Sequence, residues 1–583
     1  MIQARRMDSG SANDRSTDGR STDGGSTDDC ASATSASVTS TSATSTSATS
    51  TSVARASVAS TSVTGTSTTD VVIIGSGLGG LVAGSLLARY GRRVILCESH
   101  TIPGGAAHAF TRRTAAGTFT FDSGPSFYCG LAETGSANPL SQVLSVLGEP
   151  IEAIPYDPFG YYHFPEGTLA VYGDGEQYRR AVEKFSPGAA AQLAALETRL
   201  LKIYAPLKAI PPLALRADLK LLPLLLARYP RAMAQMLPSL PDLDRSMAQV
   251  MEKAVPSGFN PWLKRLLDLE CFLLSGMKCE ETVAPEMAFM FGERAKSVID
   301  YPVGGSGAIV EALVRGLEKW GGELRLKTHV ERVIVEGGSA KGVLLKSGQK
   351  ILAKTVISNA TIWDTYKHLL APSDVPSQAQ QEALNTPAVE SFMHLHLGIS
   401  AEGLADIPIH HVVVHDSETD VAVPGNTCMV SIPTVLDPQQ APAGYHTVHA
   451  YTLEPYEVWE GLDRRSDRYQ QLKREKADVL YRAVEKIIPD VRSRVVLELI
   501  GTPLTHSRYL RRYKGTYGPA IASQEGRFPS GKTPIKNLHL VGDSTLPGIG
   551  VPAVAASAIL CANSLVTLKE SSGLLTLLED AVR

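Results

Sequence analysis

The stretch Asp70-Val71-Val72-Ile73-Ile74-Gly75-Ser76-Gly77-Leu78-Gly79-Gly80-Leu81-Val82-Ala83-Gly84 decides how this chain is read. Val71–Ile74 is a short apolar run rich in β-branched residues, suited to a parallel strand buried on both faces. Gly75 makes a tight turn, Gly77 lets backbone approach a pyrophosphate, and Gly80 allows the next helix to pack closely on the strand. Ser76 and Gly79 lie in the same loop, and the helix start offers free N–H groups and a positive dipole end to phosphates. A second strand, Arg93-Val94-Ile95-Leu96-Cys97-Glu98, ends in an acid 18 residues after Gly80. A carboxylate there can accept from both hydroxyls of an adenosine ribose. The glycines alone would also suit a structural turn; with the strand, the helix and Glu98 they indicate dinucleotide binding.

Later segments narrow the dinucleotide. Gly104-Gly105 is a second place where bare backbone can touch a pyrophosphate. Near the C-terminus, Asn537-Leu538-His539-Leu540-Val541-Gly542-Asp543 reads as a strand ending in Gly-Asp. Ser544-Thr545-Leu546-Pro547-Gly548-Ile549-Gly550 follows, and a small-residue helix starts at Val551. Glu98 serves a ribose, whereas Asp543 suits the ribitol of a flavin, which NAD lacks. The paired acids therefore favour FAD, with Gly542, Asp543, Gly550 and Val551 on the cofactor side; otherwise Asp543 would be a helix N-cap. Between the two ends, Val330 can lay its backbone on the adenine and Ser358–Ala360 can line the same end, unless both are ordinary strands of the sheet.

The quoted glycine start, Glu98, Gly104-Gly105, Phe121-Asp122-Ser123-Gly124, Tyr301-Pro302-Val303-Gly304-Gly305 and the Val541–Val551 segment resemble the FAD-dependent phytoene desaturase-like flavoproteins. Within these, the sequence is most similar to the carotenoid cis–trans isomerases of the prolycopene isomerase type. The resemblance spans residues 70–568. It implies an α/β fold: a Rossmann-type FAD-binding domain with an interleaved α+β substrate-binding domain. The motifs are less specific to the reaction, because desaturases, ketolases and saturases share the frame. One departure stands out: Ala106-Ala107-His108 follows the double glycine where many amine-oxidase relatives carry Arg.

The chain has 583 residues, 43% apolar and 20% charged, and a net charge of −3, so whole-protein binding to nucleic acid is not expected. Seven cysteines without a C-x-x-C pair argue against a disulfide scaffold and a structural zinc site. Residues 1–69 hold 33 Ser or Thr and few large apolar side chains, which reads as a disordered N-terminal extension. From Ala31 to Thr69 there is no acid and one base, Arg55, the chemistry of a plastid transit peptide. Six Asp before position 30 speak against that, in favour of an untargeted tail or a misplaced start codon. The uncharged runs Val71–Ala88 and Ser544–Leu568 are too rich in glycine and proline to read as membrane spans.

The expected division is 70–139, 301–365 and 531–583 for the FAD-binding domain, and 140–300 and 366–530 for the substrate-binding parts. Between Leu201 and Leu237, Leu-rich stretches alternate with Lys202, Lys208, Arg216, Lys220, Arg228 and Arg231, and prolines cut them into short helices. Such helices either lie in a membrane interface, with the cations at the headgroups, or form a core-facing cap. Histidines gather at His394, His396, His410, His411, His415, His446 and His449. His394 and His396 share one strand face, but with no matching carboxylate–histidine motif we expect a sheet-surface or pocket-lining role and no metal. The run Tyr509, Arg511, Arg512, Tyr513, Lys514 and Tyr517 reads as packing or cofactor-side contacts. The expected function is FAD-dependent cis–trans isomerisation of a carotenoid or other isoprenoid lipid by a peripheral membrane enzyme of the plastid. Desaturation or saturation, or a catalytically silent pigment-binding flavoprotein, are the alternatives. No side chain is marked as acid or base.

Overall fold

The computed structural model describes residues 65–124, 127–133, 135–295 and 299–582. The readings made for residues 1–64, the transit peptide included, lie outside these. Two seven-stranded sheets organise the chain. In the first, Glu323–Arg325, Val94–Cys97, Thr66–Ile74 and Lys350–Ser358 run parallel in that order, and Leu538–Leu540 pairs parallel with the end of Lys350–Ser358. Ser339–Leu345 and Val330–Glu336 extend it as an antiparallel meander. The helix Leu78–Arg89 crosses from the first strand and is buried from Leu78 to Ala88. Its apolar side chains share a core with Leu313 of the helix Gly305–Lys319 and Ile559 of the helix Val551–Ser564.

The first strand corrects one boundary. It begins at Thr66, not near Asp70, because Thr66–Thr69 pair in register with Lys350–Ala353. Threonine is a good strand former, and Thr69 is buried with its hydroxyl donating to the Arg93 carbonyl at 2.7 Å. The boundary drawn at 140 also cuts through one helix, Pro139–Leu147, whose Leu140, Val143, Leu144 and Leu147 lie in the nucleotide-side core.

The second sheet runs Val495–Gly501, Ser391–Ser400, Tyr445–Glu454, Thr427–Ser431, His410–Val414, Gly160–Phe164 and Gly167–Val171. Strand alternation splits its two faces. Met393, Leu395, Leu397, Val448 and Ala450 pack on the helix Asp467–Glu485. The intervening His394, His396 and His449 therefore project from the opposite face.

Among the described residues no helix is long and apolar enough to cross a membrane. The basic Leu-rich region forms short helices, Leu221–Arg228 and Pro230–Met236, followed by the turn Leu237–Asp242. Leu219, Leu222, Leu226, Leu237 and Leu240 stand exposed there. Two of its cations are used internally: Arg216 is buried against Asp218, Ser571 and the Val566 carbonyl, and Arg228 pairs with Glu579.

Candidate functional site

The glycine turn is as tight as backbone allows. Gly75 has φ +91°, and the first intrahelical bond runs from the Leu81 N–H to the Gly77 carbonyl, so the N–H groups before it have no partner in their helix. A Cβ on Gly80 would lie 2.1 Å from the Gly75 carbonyl oxygen, which is backbone and cannot step aside. Gly104 donates to the Ser76 carbonyl at 2.9 Å, and a Cβ on Gly105 would come within 3.0 Å of the Gly77 Cα. The two glycine loops thus touch through bare backbone. Asn359 seals them from the far side: a Cβ would meet its amide at 2.5 Å from Gly77, 2.6 Å from Gly79 and 2.9 Å from Gly542. Such a cradle, which any side chain would fill, fits a diphosphate approaching main-chain N–H groups.

Glu98 sits at one end of the adjoining cavity of about 400 Å³, together with Gly75, Gly77, Gly105 and Val330. Its carboxylate is fixed before any ligand reaches it. One oxygen accepts from the Ser76 N–H at 2.9 Å and the Ser76 hydroxyl at 2.7 Å; the other accepts from the His100 N–H at 2.7 Å. Ser76 is fully buried with both donors directed at Glu98, so it orients that acid and does not itself face the cavity. The Thr328 N–H bonds the Glu98 carbonyl at 2.7 Å, which sets Val330 beside the acid.

The C-terminal motif meets this frame through Gly542. Its φ is +107°, and its N–H donates to the Ser557 hydroxyl at 2.9 Å. Asp543 does not line the cavity directly; its Oδ2 accepts from Arg512 Nη2 at 2.5 Å, and Arg512 lines the wall. Gly550 and Val551 open the helix Val551–Ser564 and are not among the residues that line this cavity. The motifs Phe121–Gly124 and Tyr301–Gly305 prove to be one device. The buried Asp122 accepts from the Ser306 N–H at 2.9 Å, the Ser306 hydroxyl at 2.6 Å and the Tyr301 hydroxyl at 3.0 Å, and burial pushes its carboxyl up.

Sequence reading singled out neither Asn359 by itself nor the grouping of His506 with the other histidines. On the free face of the second sheet, His396 stands directly opposite His449, with ring centroids 4.3 Å apart. His394 Nδ1 and His449 Nε2 are 2.7 Å apart in rings inclined by 14°. The His396 Nε2 lies 3.1 Å from the Asp122 carbonyl, and His506 from the helix Pro503–Tyr509 packs 4.5 Å from His394. Burial depresses all four: His396 to about 4, His506 to about 3, and His394 and His449 well below the usual range. The side-chain nitrogens of His394, His396 and His449 lie within 4.8 Å of one another. The 2.7 Å contact between nearly coplanar rings is nonetheless a hydrogen bond. Two nitrogens on one tetrahedral ion would stand roughly 3.3 Å apart.

Known proteins carry the same frame. The flavin containing amine oxidoreductase family matches residues 78–566. A chloroplastic prolycopene isomerase of an Oncidium hybrid cultivar is 33% identical over 500 residues, covering 85% of this chain and 83% of that one. A neurosporene-forming phytoene desaturase of Rhodobacter capsulatus is 28% identical over 84% of this chain and 93% of its own. The crystal structure of an oxidoreductase from Methanosarcina mazei superposes with a TM-score of 0.57 at 17% identity, over 85% of this chain and all of that one, a likeness of fold.

Proposed function

We propose, since this chain belongs to the flavin containing amine oxidoreductase family and to its prolycopene isomerase branch, that it interconverts cis and trans double bonds of a carotenoid or related isoprenoid polyene. It is a FAD-dependent enzyme. The observation that carries the reading is the extent of likeness: 33% identity to a prolycopene isomerase over 500 residues, against 28% to a desaturase over a similar share of the chain. Bound flavin supplies reversible electron donation to the conjugated chain. We assign its contacts to Gly75, Gly77, Gly79, Gly80, Gly104 and Gly105 as bare backbone, Glu98 and Val330 at the ribose and adenine, and Gly542, Asp543, Gly550 and Val551 at the flavin end. Ser76 acts through Glu98.

A water-insoluble polyene is collected from a bilayer, and the exposed Leu219, Leu222, Leu226, Leu237 and Leu240 give a peripheral attachment of the kind short amphipathic helices make. We place the enzyme in the plastid, on thylakoid or envelope membrane. The chloroplastic relative and the acid-poor, Ser/Thr-rich stretch from Ala31 to Thr69 support that address.

Incubation of the reduced holoenzyme with a cis-carotenoid tests the function. Isomerisation changes retention time and conserves mass; a product lighter by two hydrogens per bond would make the enzyme a desaturase, the reading kept open by the phytoene desaturase relative. Tight binding of FAD and pigment with no product would make it a silent carrier.

A further inference from the structure

The cavity beside the glycine cradle poses a charge problem. A dinucleotide brings a doubly negative diphosphate, and a helix N-terminus answers with about half a positive charge. Two acids, Glu98 and Asp364, already line the same cavity. The loop after Gly104-Gly105 offers Ala106, Ala107 and His108, and burial holds the His108 pKa below its usual value, with Nδ1 2.7 Å from the Gly105 carbonyl. Among the described residues, the Lys and Arg side chains lining the cavity are Arg511 and Arg512, both from the loop after the helix Pro503–Tyr509.

Arg512 has the geometry for the task. Its side chain is 14% exposed, and two of its donors are committed: Nε to the Thr516 carbonyl and one Nη2 hydrogen to Asp543, each at 2.5 Å. A guanidinium carries five N–H groups, so three remain uncommitted on a residue that lines the cavity. The two committed bonds fix the fork, which lowers the entropy lost when a ligand meets the rest. Arg511 holds φ +49°, a left-handed conformation that a non-glycine residue keeps only when its surroundings impose it.

We infer that Arg512 is the residue that carries the cofactor's diphosphate, bridging it to Asp543, while Arg511 adds charge at the cavity mouth. The double-glycine loop is thereby relieved of supplying a cation. This rests on the flavoprotein reading. The test is FAD affinity of the full-length protein as a function of KCl concentration, for wild type, Arg512→Gln, Arg512→Lys, Asp543→Asn and the double variant Arg512→Gln/Asp543→Asn. Arg512→Gln should weaken FAD about 10- to 100-fold and flatten the salt dependence, as expected when a charge-assisted contact is lost. Arg512→Lys should keep the salt dependence. In the Asp543→Asn background the Arg512 change should still cost affinity, because the diphosphate contact persists without the acid. If Arg512 merely holds Asp543, the double variant will match Asp543→Asn, and the inference falls. It falls equally if Arg512→Gln leaves affinity and salt dependence unchanged, or if its loss of FAD follows a matching drop in thermal stability of the cofactor-free protein. A wild-type protein that binds no FAD would instead sink the flavoprotein reading itself.

Discussion

Replacing Glu98 with Gln separates what this acid does for the fold from what it does for a ligand. One carboxylate oxygen takes two donors from Ser76, at 2.9 and 2.7 Å, and the other takes the His100 N–H at 2.7 Å. Glutamine keeps the shape but turns one end into a donor. The less costly orientation points that NH2 at His100, which loses one charge-assisted hydrogen bond, about 1.5–3 kcal/mol, at a site only 9% exposed. The two Ser76 bonds survive as neutral ones, each weaker by roughly 0.5–1 kcal/mol. Glu98→Gln should therefore lower the stability of the cofactor-free protein by about 2.5–5 kcal/mol. FAD affinity should fall a further 10- to 100-fold or so, as the ribose hydroxyls lose an ionised acceptor. Ser76→Ala removes one hydroxyl donor and should cost about 1 kcal/mol. Urea unfolding and quenching of flavin fluorescence read the two effects separately. Stability within about 0.5 kcal/mol of wild type would refute the reasoning that Ser76 and His100 hold this carboxylate.

Gly77→Val should abolish the yellow flavin spectrum after reconstitution, because a branched side chain would occupy the path of the diphosphate over the bare backbone, even if the Asn359 amide 2.5 Å from its Cβ moves aside; full FAD binding by the variant would overturn the cradle. His396 and His506 titrate near 4 and 3 in the fold, whereas a free imidazole titrates near 6.5. The unfolded chain thus binds more protons in that window, so their contribution is full above about pH 6.5 and is lost as pH falls, by up to about 1.4 kcal/mol per pH unit each. His506→Gln should flatten the urea midpoint against pH between 6.5 and 4, and an unchanged slope would show that His506 is protonated in the fold. A chain starting at Gly65 should fold and bind FAD as the full chain does. One starting at Asp70 should melt lower, having lost the pairs Thr66–Thr69 make with Lys350–Ala353; equal melting temperatures would remove that segment from the core.

The nucleotide frame was legible because its function is written in missing side chains: a glycine needed for close approach is visible as a glycine. Glu98 was read from its distance to Gly80, and Gly542 from the Gly-Asp that ends its strand, whereas Val330 had no signal beyond an ordinary strand pattern. What stayed hidden depends on side chains that reach across the chain. Ser76 reads as one more loop residue until its hydroxyl is found on Glu98. Asn359 was one position in a short segment, yet its amide touches the space over three glycines from two segments far apart in sequence. Thr66–Thr69 share the composition of the low-complexity stretch before them, so only pairing with Lys350–Ala353 reveals the strand. The histidines were noticed as a local excess, but antiparallel register sets His396 against His449, and a later helix brings His506. Neither fact has a signature in spacing.

The contact between His394 and His449 has a consequence of its own. Both rings are uncharged near neutral pH, so together they carry two hydrogens on four nitrogens, and one hydrogen lies between the inner pair. If the inner hydrogen belongs to His394, its outer nitrogen is bare and the outer nitrogen of His449 bears a hydrogen; if it belongs to His449, both assignments reverse. The outer edges of the pair are therefore always opposite in kind, one giving and one receiving, and neither can change its tautomer without the other. The two imidazoles behave as a single polar switch with two positions, set among the rings of Phe392, Tyr451 and His396.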